Sequence, residues 1–103
     1  MSEVAIALVG TSGPPLFRFS SGEQPVAGLL EITVTPAGSD EPHWKVVRDL
    51  PRLDDAAIPV SEVQYGVVPA GMHEAIPAKP LTPGDLYEIR VSGHGTGLLE
   101  FYA

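Results

Sequence analysis

Proline and glycine constrain this chain more than any other feature. Eleven of each are spread along its 103 residues. No interval between them leaves room for a large helix, since proline breaks the helical ladder and glycine opposes it entropically. The intervals hold short runs in which apolar and polar residues alternate, the period of a strand with one buried and one wet face. Punctuation that is dispersed rather than clustered reads as frequent turns, not as disorder.

The runs can be followed in order. Val4, Ile6 and Leu8 alternate before the turn residues 10–15, and a short apolar run occupies 16–19. Leu30, Ile32 and Val34 alternate with Glu31, Thr33 and Thr35 until Pro36; Trp44 and Val46 alternate with Lys45 and Val47. Val63, Tyr65 and Val67 form the next run, then Tyr87, Ile89 and Val91 against Glu88, Arg90 and Ser92, and last Leu99 and Phe101. About seven short strands at this spacing predict one all-β domain over 1–103, an antiparallel two-sheet sandwich. Its expected core is Ile6, Leu8, Leu30, Ile32, Val34, Trp44, Val46, Val63, Tyr65, Tyr87, Ile89, Val91, Leu99 and Phe101. Residues 54–57 have room for one helical turn between Pro51 and Pro59. The first strand, followed by Pro14 and Pro15, is expected at a sheet edge, switching sheets at 13–15.

Residues 81–91 carry a more specific pattern. Leu81, Pro83 and Gly84 lead through a turn into Tyr87, Ile89 and Val91 on one face. This run resembles the late strand of fibronectin type III and related immunoglobulin-like sandwiches, and the resemblance extends from Val63 to the end of the chain. It implies that the Tyr87 hydroxyl bonds to backbone upstream, a tyrosine corner. It also implies a hairpin at 93–97 leading to a final strand. Trp44, Tyr65, Pro83, Gly84 and Tyr87 are the expected structural residues. Such folds host unrelated functions, so the resemblance assigns no activity.

Thirteen acidic residues against six basic ones give a net charge of −7, with no basic cluster. Nucleic acid and anionic membrane both need grouped cations, so neither is an expected partner. Without cysteine there are no disulfides, thiolate metal sites or cysteine nucleophiles. The apolar run near the N-terminus is too short for a signal peptide or a span. A native Met1 would make the chain cytoplasmic; otherwise it is a domain of an exported protein.

Candidate chemistry is sparse. His43, His73 and His94 fall in segments that the expected topology gathers at one pole, with Asp40, Glu41 and Glu74 beside them. Imidazoles and carboxylates together suit a divalent ion, but no pair has the tight spacing that fixes ligands on one element. Residues 93–97 lack the following helix and the lysine of a phosphate loop, so a hairpin is expected. Ser92, His94 and Asp40 or Asp85 could be arranged as a relay only if the fold brought them together. The acidic pairs at 40–41 and 54–55 lack the ordered ligands of a calcium loop. Residues 67–77 read as a long loop carrying Met72 and Ile76, either a contact surface or a flap tucked over the sheet. Val47, Leu98 and Tyr102 fall on faces expected to be wet; if clustered, they would mark an interface.

These readings predict a non-catalytic binding or structural module whose partner is another protein, with no cofactor. The alternative is a carbohydrate or divalent-metal module using Asp40, Glu41, His43, Met72, His73, Glu74 and His94.

Overall fold

The computed structural model describes residues 2–9, 14–22, 24, 27–49, 58–93 and 95–103. Among these residues nine strands run in order: β1 (Ser2–Val9), β2 (Leu16–Ser21), β3 (Ala27–Pro36), β4 (Trp44–Arg48), β5 (Ile58–Val60), β6 (Glu62–Gln64), β7 (Met72–Ile76), β8 (Leu86–Gly93) and β9 (Gly95–Tyr102). Two of these exceed the expected count. β5 pairs with β3 just ahead of β6, and β7 occupies what the sequence presents as loop. The described residues contain no helix, and the helical turn expected at 54–57 lies outside them.

The expectation of two antiparallel sheets is met only in part. The strands form one mixed sheet, ordered β6-β2-β1-β9-β8-β3-β4-β7 with β5 beside β3, curled into a half-barrel. Every pairing is antiparallel except that of β1 with β9. β1 is therefore interior to the sheet, not the edge strand its flanking prolines suggest. Ser2 and Glu3 pair with Gly95 and Thr96, after which Val4 to Val9 pair with β2. The exchange of partners falls at Glu3–Val4, not at 13–15. Gly97 permits it, because a Cβ there would lie 2.4 Å from the Val4 carbonyl oxygen.

A bulge sets the phase of β3. Leu29 pairs with Gly93 but Glu31 with Ser92, so Leu30 is an extra residue in the ladder. One inserted residue returns the side chains to the same face out of turn. Leu29 is fully buried, whereas Leu30, expected in the core, is 37% exposed. Leu8 is also a correction, at 43% exposed near the end of β1. Ile6 and Leu99 pack partly buried against the core, and the other expected members are buried.

The concave side of the curl also encloses Phe17 and Phe19, fully buried although absent from the expected set. Phe17 meets Phe101 edge-on at 5.0 Å, joining β2 to β9 across the interior. Burying each such ring stabilises the fold by about 2–3 kcal/mol. Tyr87 lies between Phe101 and His43, at ring distances of 6.0 and 5.6 Å. Its hydroxyl accepts the Thr82 N–H at 2.8 Å, the upstream backbone bond expected of it. Gly84 takes φ +86° in the turn between them, a conformation that favours glycine.

The sheet path ends at β6 and β7, and the segments after these strands meet. Tyr65 follows β6; its hydroxyl donates to the Lys79 carbonyl at 2.6 Å, beyond β7. Its ring packs edge-on against Trp44 at 5.2 Å. Val68, Ala78 and Leu81 pack partly buried against the core.

Candidate functional site

His43 and His73 do not share a pole. His43 immediately precedes β4, where its N–H donates to the Val34 carbonyl at 2.8 Å and its own carbonyl accepts the Lys79 N–H at 3.0 Å. His73 pairs with Val47 at the other end of β4. The intervening strand separates the two by roughly four residues of extended rise, about 13 Å. His94 lies outside the described residues. Among the described residues, no three histidines or carboxylates gather as a metal would require.

Each remaining candidate has a local occupation. Asp40 and Glu41 are exposed in the β3–β4 turn, where the Glu41 N–H donates to the Ser39 hydroxyl oxygen at 3.1 Å. His73 Nδ1 lies 2.8 Å from Asp49 Oδ1, with both side chains about half exposed, at 52% and 50%. A surface pair of this kind is screened and contributes little. His43 sits against Tyr87, and its Nδ1 is buried without a hydrogen-bond partner among the described residues. Met72 is buried on β7, turned into the core and not presented as a contact surface. Ile76 is half-buried.

Glu74 is the informative case. Between Lys45 and Val46 the ladder shifts, leaving Ala75 of β7 as an extra residue. Glu74 comes to lie opposite the inward-facing Val46. Its Oε2 accepts the Trp44 indole N–H at 2.7 Å and the Ala78 N–H at 3.3 Å. A buried indole N–H needs such an acceptor, so this carboxylate is part of the scaffold. Tyr65 serves the same corner. Burial pushes its hydroxyl up to about 12.

The relay does not assemble. Ser92 pairs with Glu31 and Thr96, whereas Asp85 precedes the opposite end of β8 and Asp40 follows the opposite end of β3. Asp54 and Asp55 lie outside the described residues.

The convex face is where unabsorbed groups remain. An open trough of about 540 Å³ runs over it, with Glu3, Glu31, Thr33, Arg90, Ser92 and Leu98 in its lining. Lys45 Nζ neutralises Glu31 at 3.1 Å, and Arg90 Nε bonds Glu88 at 2.7 Å. Beside the trough, β9 presents Leu98, Glu100 and Tyr102 outward, with Leu98 49% and Tyr102 69% exposed. Val47 is half-buried on β4, three strands away, and Leu98 and Tyr102 share one face of β9 about four residues of extended rise apart. Their four-residue spacing on an alternating strand was legible beforehand; the openness of β9 beside them was not.

No family model matches the chain, and no curated protein and no solved structure matches it.

Proposed function

We propose that this domain is a non-catalytic module that binds another protein, immunoglobulin-like in its construction. One observation carries the reading. Glu74, Tyr65 and Tyr87 spend their polar groups on the scaffold, while two large apolar side chains, Leu98 and Tyr102, stand exposed on one strand. An aromatic and an aliphatic side chain held on a rigid strand suit a contact surface. The Tyr87 bond to upstream backbone supports the immunoglobulin-like part of the reading.

The test is photo-crosslinking in the source cells. A benzophenone amino acid at Tyr102 should capture a discrete polypeptide, and the same group at Gln64, exposed on β6, should not. Capture that is equal at both positions, or absent from Tyr102, would count against a binding surface on β9.

A further inference from the structure

Resting on that reading, we infer that β9 binds its partner by strand addition, and that the added segment presents apolar, basic and apolar side chains at alternate positions. The edge itself comes first. β1 pairs with β9 only at Gly95 and Thr96 and then leaves for β2. Among the described residues, no strand lies along 98–102 on the side away from β8.

The backbone along this stretch points outward in the required way. The Ala103 N–H donates to the Asp85 carbonyl at 3.0 Å, and Leu86 pairs with Tyr102 in the adjoining ladder. In an antiparallel ladder, bonded and non-bonded pairs alternate. Odd-numbered residues of β9 therefore bond to β8. The N–H and C=O groups of Leu98, Glu100 and Tyr102 face the open side, which is the template that strand addition uses.

The other two ends of the sheet are blunted. β7 carries a bulge and turns the Glu74 carboxylate toward the interior, and β6 is three residues long. Bulges, inward charges and short strands are devices that protect edges. β9 has a regular ladder to β8 through Tyr102 and none of these devices.

Charge selects the occupant. Glu100 lies directly across from Glu88 on the outer face, and opposed like charges are unfavourable. Arg90 bonds Glu88, while Glu100 has no cation among the described residues. A basic side chain on an added strand would sit beside Glu100, with apolar side chains beside Leu98 and Tyr102. A second copy of the chain does not supply this. Antiparallel pairing of β9 with itself about Glu100 opposes two glutamates, on domains that each carry −7.

The probe is an acetylated, amidated peptide, Thr-Val-Thr-Lys-Thr-Val-Thr, followed by fluorescence anisotropy and backbone amide shifts of the full chain. Saturable binding is expected, with the largest shifts at Leu98, Glu100 and Tyr102. Glu100→Lys should weaken it about tenfold, and a peptide with Glu in place of Lys should recover the loss on that variant. Glu100→Gln should weaken the Lys peptide and relieve the repulsion of the Glu peptide, narrowing the preference without reversing it, which guards against a folding defect in the first variant. N-methylation of the ladder-forming amides should cost at least about tenfold.

Equal binding of the N-methylated peptide, shifts centred on β6 or β7, or no saturation by about 1 mM would overturn strand addition at β9. Concentration-dependent dimerisation with shifts on β9 would overturn it in favour of a second copy. Should the peptide fail while crosslinking at Tyr102 still captures a protein, the binding module stands and the strand-addition mode falls.

Discussion

The Trp44 indole N–H donates to Glu74 Oε2 at 2.7 Å, across the ladder between β4 and β7. Trp44 is fully buried, and Glu74 pairs with Val46, two residues along the same inward face, with the bulge at Ala75 just beyond it. The same carboxylate accepts the Ala78 N–H, drawing the segment after β7 over the core.

Removing that acceptor should be costly. Glu74→Ala leaves the indole N–H without a partner in a dry site and should destabilise the fold by about 2–3 kcal/mol. Glu74→Gln keeps an acceptor oxygen and should lose about 1 kcal/mol. Urea unfolding followed by Trp44 fluorescence measures both. Matching midpoints for Glu74→Ala and the parent chain would show that the bond contributes nothing.

Alkaline stability should report Tyr65. Its folded-state value is about 12 against an ordinary 10.0, because burial opposes the phenolate. Below pH 10 both folded and unfolded chains hold the proton. Between about 10 and about 12 the unfolded chain releases it first, so stability falls as pH rises through this window. The loss is bounded at roughly 3 kcal/mol, less what solvent screening removes. Tyr65→Phe should lower stability at neutral pH through the lost Lys79 bond, yet show a flatter decline above pH 10. Parallel declines in urea midpoint for the two proteins would remove Tyr65 as the cause.

Tyr87 offers a narrower test. Tyr87→Phe keeps the ring between Phe101 and His43 but removes the acceptor for the Thr82 N–H. About 1 kcal/mol should be lost. Amide exchange at Thr82 should accelerate more than at Ile89 in mid-strand. Unchanged exchange at Thr82 would mean that another group holds that turn.

What the sequence disclosed about this fold was local. Pro83, Gly84 and Tyr87 sit within a few residues of one another, so both the turn and its latch to Thr82 could be anticipated. The phase of β4 and β8 followed from clean alternation. Phe17 and Phe19 flank Arg18 in the same manner, and that signal was available though the run was short. What stayed hidden depends on distant residues. Leu29 and Leu30 are both apolar, and only pairing with β8 decides which is inward. Glu74 acquires its role from a tryptophan thirty residues earlier. Likewise, the separation of His43 from His73 depends on β7 pairing with β4, and residues 72–76 show no alternation that announces a strand. The exposed Leu98 and Tyr102 were visible as wet positions, but the open edge beside them is a property of β1 leaving for β2.

That departure can itself be tested at Gly97. A Cβ there would lie 2.4 Å from the Val4 carbonyl oxygen and 3.1 Å from the Val4 Cβ. The nearer atom belongs to strand backbone, which cannot step aside as a flexible side chain can. Gly97→Ala should force β1 away from β9 and destabilise the domain by on the order of 1–3 kcal/mol. Thr96→Ala is the control, since Thr96 is exposed on the neighbouring outward position; its cost should stay within about 0.5 kcal/mol. Amide exchange should locate the damage, with protection lost at Glu3 and Val4 while Ile32 and Ile89 keep theirs. Equal melting of the two variants would mean that β1 crosses β9 with room to spare, and the open edge beyond Gly97 would then need another cause.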